Sequence, residues 1–327
     1  MLVQLAVCAA LIATSGYALT RSADRLAAML GWARGWVGLA LLATVTSLPE
    51  LASGVSAVAL IGAPNLAVGN ALGACVVNLA FLVVVDAMQR PQPLFRAASA
   101  THLLSAGLGV VMLGFVALSL VTGARAPALL HVGVYSPLLL AFYLFALRSV
   151  FKIEQVQRIS AGTVPAGNGA LRAEWLRFAA SAAVVLVAGS WLPGLAGDIA
   201  EATGVSRSFA GTVLMALVTT LPEMAVTFSS LRLGALDMAI GNLLGSNLFN
   251  VTILAVDDLF YLPGPLLAHA APAHAASAAT ALAMTGLVIV GLVLRPHGRV
   301  LRIASWISIG LVAAYGINST VLYLLGT

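Results

Sequence analysis

Charge is what this chain has least of: Asp, Glu, Lys and Arg make up 8% of its 327 residues, against 61% apolar residues. So little polar surface cannot coat a water-soluble globule of this size, and a mean hydropathy of +1.04 agrees. Cysteine is nearly absent, with Cys8 and Cys75 the only two, which excludes a disulfide framework and a thiolate metal site. The five histidines, His102, His131, His269, His274 and His297, show no metal-binding spacing such as HExxH and fall near helix boundaries, where interfacial side chains are expected. No GxSxG elbow or Ser-His pairing is present, which argues against an intramembrane enzyme.

In place of charge the chain has long apolar runs. Ten windows, near residues 2–19, 35–60, 65–88, 98–121, 128–148, 175–193, 208–231, 236–260, 274–294 and 301–325, each suffice for a bilayer crossing of about 20 residues. The expectation is an all-α integral membrane protein of about ten transmembrane helices. No Lys or Arg precedes the first run, and Arg21 and Arg25 follow it, so it reads as a retained helix rather than a signal peptide. With ten crossings, fourteen of the sixteen Lys and Arg residues fall on one side, and only Arg125 and Arg207 on the other. The positive-inside rule then places both termini outside the cell membrane and the long loop near residues 149–173 in the cytoplasm. The net charge of +5 belongs to those cytoplasmic loops, so the partner it implies is the lipid bilayer and not a nucleic acid. No obligate protein partner is implied.

One pattern is written twice. Thr46-Ser47-Leu48-Pro49-Glu50 leads to Gly69-Asn70-Ala71-Leu72-Gly73 and Asn78, while Thr219-Thr220-Leu221-Pro222-Glu223 leads to Gly241-Asn242-Leu243-Leu244-Gly245-Ser246-Asn247 and Asn250. The copies are offset by 173 residues at the glutamates and 172 at the later glycines. Each half holds five helices, an odd number, so the halves are expected to be inverted repeats: residues 1–150, a cytoplasmic connector at 151–173 with a flexible stretch at Ala161–Ala170, and residues 174–327. Inverted repeats with interrupted helices recur in secondary transporters, whose substrates sit near the midplane between the repeats.

Each copy sets a carboxylate and a proline inside an apolar run. An acidic side chain at a helix centre costs about 2.5–3.5 kcal/mol to insert, and no basic residue lies in the neighbouring helical cores to pair with Glu50 or Glu223. Pro49 and Pro222 lack an amide hydrogen, freeing the carbonyls of Val45 and Val218. Thr46 and Thr219 lie four residues before the glutamates, which puts hydroxyl and carboxylate on one helical face. Oxygen ligands alone suit a hard cation such as Ca²⁺ or Na⁺, and two carboxylates balance one divalent ion. The Gly-Asn segments supply small residues for close helix packing and amides to coordinate or brace the carboxylates. Asp86, Asp257 and Asp258 lie toward helix ends and are expected to be solvated at the interface; Asp198 and Glu201 fall in an expected outer loop.

The paired TSLPE and GNxxGSN patterns resemble the α-repeats of the Ca²⁺/cation antiporter superfamily, most closely the prokaryotic Na⁺/Ca²⁺ exchangers. The resemblance implies that Glu50 and Glu223 bind Ca²⁺ together with main-chain oxygens at Thr46 and Thr219. It implies flanking sodium ligands at the hydroxyls of Ser47, Thr220 and Ser246, the carbonyls of Ala43 and Ala216, and the polar groups of Asn78 and Asn250. No cofactor is implied; Ca²⁺ and Na⁺ are the transported ions. The chain departs from the pattern at Gly73-Ala74-Cys75, where the family's serine and its hydroxyl are missing, and at Val45 and Val218, where a glycine is usual.

The expected activity is Ca²⁺ export in exchange for Na⁺ by alternating access, with Ca²⁺/H⁺ exchange as the near alternative and a passive cation channel as the more distant one. The charge distribution makes the topology testable. A reporter fused after Thr327 is expected outside the cell and one inserted near Gly167 in the cytoplasm; finding both on one side overturns the ten-helix inverted repeat.

Overall fold

A computed structural model describes residues 2–89, 92–125, 127–160, 171–203, 215–300 and 303–325. Arg90, Arg207, Arg302 and the stretch Ala161–Ala170 lie outside the described residues, as do the side chains of Arg158, Asp198 and Glu201. The described part is helical, and its long helices follow the apolar windows. They are α1 (Leu2–Leu30), α2 (Arg34–Ile61), α3 (Pro64–Met88), α4 (His102–Thr122) and α5 (Tyr135–Ser160) in the first half. The second half contains α6 (Leu171–Thr203), α7 (Met215–Thr219 and Leu221–Arg232), α8 (Leu236–Phe260), α9 (His274–Leu294) and α10 (Trp306–Leu325). Nine of them are long and apolar enough among the described residues to cross a bilayer; the tenth, α7, is described only from Met215.

Several boundaries differ from those expected. Helix α1 continues through Arg21 and Arg25 to Leu30, so these arginines stand on the helix rather than in a loop. The fifth window begins with a two-stranded ribbon, Ala128–Leu129 against Val132–Gly133, before α5 starts at Tyr135. Helices α5 and α6 also run into the expected connector, to Ser160 and from Leu171.

Helices α2 and α7 are broken where the prolines require it. Ser47 (φ −93°, ψ 5°) and Thr220 (φ −80°, ψ 3°) leave helical geometry in nearly the same way. The following proline enters the first turn of the second half-helix, where its missing N–H costs nothing. Helix α2 is also widened into single π-turns at Gly38–Leu42 and Ala57–Ile61. Gly62 and Gly234, both at φ 68°, end the two broken helices in the left-handed conformation that glycine adopts without strain.

The centre of the molecule is the pair α3 and α8. Their most apolar stretches are 78% and 89% buried, against 28–44% for the other seven spans, which leave one side to lipid. Helix α8 also lies along α2, and the two run in the same direction. A Cβ on Gly38 would strike the Met238 carbonyl, one on Gly241 the Gly35 carbonyl, and one on Gly245 the Leu39 carbonyl and Ala43. Only glycine permits this backbone-to-backbone approach. Gly245→Val is therefore expected to push α8 off α2 and to lower the melting temperature sharply, overpacking against rigid backbone costing about 1–3 kcal/mol or more. Gly114→Ala, which faces open space, should leave the melting temperature unchanged or raise it, as followed by fluorescence-detected size-exclusion chromatography.

Candidate cation site

The two breaks in α2 and α7 bring Glu50 and Glu223 to the middle of the bundle, both wholly buried. The glutamates are close enough to repel each other. Among the described residues the ion pairs are Arg25–Glu174, Arg177–Glu174, Arg34–Asp24 and His102–Asp237, so no cation among them neutralises either carboxylate. Both oxygens of Glu50 and Oε2 of Glu223 have no hydrogen-bond partner among the described residues. Glu223 Oε1 accepts a 2.8 Å hydrogen bond from the Ser47 hydroxyl.

The hydroxyls are exchanged between the halves. The sequence suggests that Thr46 serves Glu50 and Thr219 serves Glu223 across one helical turn, but the breaks at Ser47 and Thr220 turn the two positions apart. The Thr46, Ser47 and Ser246 hydroxyls surround Glu223, while Thr219 stands beside Glu50. The asparagines follow the same reciprocity. Thr46 Oγ1 donates to Asn242 Oδ1 at 3.5 Å, and Thr219 Oγ1 donates to Asn70 Oδ1 at 3.3 Å. Asn242 in turn donates to the Glu223 carbonyl at 3.2 Å and to Thr227 at 3.1 Å, bracing the second broken helix.

The remaining residues divide. Ser246 Oγ lies 3.5 Å from Thr46 Oγ1, inside the cluster. Thr220 differs from its counterpart Ser47: its hydroxyl turns back to the carbonyls of Ala216 and Leu217, at 2.9 and 3.1 Å. The Ala216 carbonyl also accepts from Thr219 Oγ1 and the Thr220 amide, and the Ala43 carbonyl accepts from Thr46 Oγ1 and the Ser47 amide. Both carbonyls therefore face the break but already carry hydrogen bonds. Asn78 Nδ2 donates to Asn247 Oδ1 at 3.2 Å. Its counterpart Asn250 has neither amide atom paired, because the position equivalent to Asn247 is Cys75, which has no amide to offer.

Three carboxylates expected at the solvated interface are buried instead. Asp86 accepts from the Leu94 and Ser305 amides and the Ser308 hydroxyl, at 2.8, 2.6 and 2.7 Å. Asp258, 172 residues later, accepts from the Gly133 and Leu266 amides, Tyr135 and Ser136. These are matched structural anchors, and the repeat offset between them was the signal that could have revealed it. Neither carboxylate oxygen of Asp257 has a hydrogen-bond partner among the described residues. Of the histidines expected at the interface, His102 and His274 are buried, His102 bonding Asp237 at 3.0 Å, whereas His269 and His297 are exposed.

Comparison with known proteins gives this geometry its family. The family model described as sodium/calcium exchanger protein matches residues 1–151 and 173–324. The chain belongs to the sodium/calcium exchanger family. It is 27% identical over 237 residues to the putative antiporter CaxA of Alkalimonas amylolytica, spanning 72% of each chain. It is 44% identical over 63 residues to the sodium/calcium exchanger MaX1 of Methanosarcina acetivorans, a match to 19% of this chain and 18% of that one. Its fold matches the sodium-calcium exchanger NCX_Mj, in crystals soaked with 2.5 mM Na⁺ and 10 mM Sr²⁺, with a TM-score of 0.74 at 21% identity over 97% of this chain and 96% of the other.

Two uncompensated buried carboxylates destabilise the ion-free protein, and a ligand bound only by the folded state stabilises it by mass action. Glu50→Gln and Glu223→Gln are each expected to melt no lower than the parent without cations and to lose the stabilisation by added Ca²⁺. Retention of that stabilisation in both variants excludes a shared two-carboxylate site.

Proposed function

We propose that this chain is a secondary active antiporter that moves Ca²⁺ across the cell membrane in exchange for Na⁺, without covalent chemistry or a cofactor. The observation that carries the reading is the set of three unpartnered carboxylate oxygens of Glu50 and Glu223, buried where two broken helices from opposite repeats meet. Ca²⁺ would be held by both glutamates with main-chain oxygens at Thr46 and Thr219. Na⁺ would be held nearby by Ser47, Thr220 and Ser246, by Asn78 and Asn250, and by the carbonyls of Ala43 and Ala216 as their present hydrogen bonds are exchanged.

Coupling follows from the electrostatics. With the site empty, two neighbouring carboxylates sit unneutralised in a low-dielectric interior, so the empty protein resists closing around them. Either Ca²⁺ or its counter-ions relieve that charge, and because they share the glutamates they bind in turn. Exchange then becomes obligatory, as each side of the membrane must load an ion before the site can pass to the other. The charge distribution supports an orientation with both termini outside and the loop between α5 and α6 in the cytoplasm.

A second reading, Ca²⁺/H⁺ exchange, is favoured by one observation: Ala74 brings no hydroxyl where its counterpart Ser246 brings one. Protons need only the glutamates. The two readings separate in sealed vesicles under independently imposed gradients. Na⁺ coupling predicts Ca²⁺ uptake driven by an outward Na⁺ gradient, weak in the parent and strengthened in Ala74→Ser, with the affinity for Ca²⁺ nearly unchanged because the added ligand is neutral. Uptake that follows a pH gradient, ignores Na⁺ and gains no sodium response in Ala74→Ser transfers the assignment to proton exchange.

A further inference from the structure

Helix α8 carries Asn242, Ser246, Asn250 and Asp257 at intervals of four, four and seven residues, which places all four on one face. The equivalent face of α3 reads Asn70, Ala74, Asn78 and Val85. The polar file is therefore continuous on one side of the molecule and interrupted on the other. Its last member, Asp257, is wholly buried, and neither carboxylate oxygen has a partner. The adjacent Asp258 is committed to Gly133, Tyr135, Ser136 and Leu266.

Asp257 packs against α2, the helix that carries Glu50. A Cβ on Gly54 would overlap both oxygens of the Asp257 carboxylate, so glycine at this position leaves the space the carboxylate occupies. Gly54 stands one turn past Glu50, about 6 Å along the axis. The counterparts of this contact pair in the other repeat are Thr227 and Val85, neither of them acidic. Unpartnered polar groups thus stand on both helices of this contact: Glu50 Oε1 and Oε2 on α2, and both amide atoms of Asn250 and Asp257 Oδ1 and Oδ2 on α8. Each buried polar group left unpaired costs about 1–3 kcal/mol, more when charged, and native folds rarely leave several together without a use.

We propose that Asp257 forms a second cation station on the α2–α8 seam, where the hard cation carried by Glu50 and Glu223 pauses between that pair and the side of the membrane on which α2 and α8 end. The proposal rests on the antiporter reading. With carboxylates at both positions, a cation leaving the central pair meets a new anionic oxygen before its remaining ligands are lost, and Asn250 offers a neutral oxygen along the same face. Val85 provides no equivalent on the opposite side. The transporter is therefore kinetically lopsided, with the station raising apparent affinity from one side only.

The test uses the full-length protein in sealed vesicles of each orientation, with Asp257→Asn and Asp257→Val compared with the parent. Both variants are expected to raise the KM for Ca²⁺ by about five- to tenfold on the side where α2 and α8 end, and to leave it within about twofold on the other side. Asp257→Val restores the residue found at the equivalent position 85 and removes an unpaired buried carboxylate, so its melting temperature without cations should equal or exceed that of the parent. An unchanged KM on both sides in Asp257→Asn overturns the station, since a permanently neutral acid is replaced faithfully by the amide. Equal changes on both sides, or a lowered melting temperature in Asp257→Val, overturn it in favour of a structural role. Absence of Ca²⁺ exchange in the parent overturns the antiporter reading and the station with it, whereas normal parental exchange with an indifferent Asp257→Asn removes the station alone.

Discussion

Two carboxylates held near each other, buried and without an ion pair among the described residues, are the constraint around which this fold is arranged. An isolated pair of this kind would drive its own helices apart or draw water between them. Here the helices are broken beside each glutamate, so that hydroxyls and backbone dipoles turn toward the charge. The breaks in turn need support from neighbours, because backbone groups in a bilayer have no water to fall back on. Asn70 and Asn242 provide part of that support from the opposite repeats, and the helix of Asn242 comes this close to α2 only because glycine lines the α2–α8 contact.

The reciprocal bonding explains why neither half could make the site alone. Thr46 and Ser47 of the first half attend the carboxylate of the second, and Thr219 of the second attends that of the first. Duplication produced two similar helical units, but the cluster exists only where they interlock. The symmetry is incomplete: Cys75 leaves Asn250 without a partner, Ala74 lacks the hydroxyl of Ser246, and Val85 stands at the position equivalent to Asp257.

Much of this was legible in the sequence because membrane insertion leaves strong marks. Apolar runs of bilayer length, a repeated Pro-Glu pair and an odd helix number per half suffice to anticipate the architecture and Glu50 and Glu223. Features that depend on tertiary approach were less accessible. The π-turns of α2 have no local sequence signal, and which glutamate Thr46 would attend depends on how two broken helices cross. Asp86, Asp257 and Asp258 were misread because position near a helix end was taken to mean contact with water, although chain folded back over Asp86 and Asp258, and helix α2 packed on Asp257, exclude it. Asp86 and Asp258 could have been recognised as a pair from their 172-residue offset, whereas Asp257 follows no repeat and gives no such clue.

The two anchoring aspartates also order events during synthesis. When α8 emerges, most of what Asp258 requires already exists: Gly133, Tyr135 and Ser136 were made more than 120 residues earlier, and Leu266 follows within 8. Asp86 has the opposite history. Its nearby partner Leu94 appears at once, but Ser305 and Ser308 lie 219 and 222 residues downstream. At translation speeds of about 5–20 residues per second, the end of α3 waits roughly ten to forty seconds for the last helix to satisfy it. The first half of the protein is thus made early and finished late, and a chain truncated before α10 would carry a half-satisfied carboxylate at the end of α3, a mark by which incomplete copies differ from complete ones.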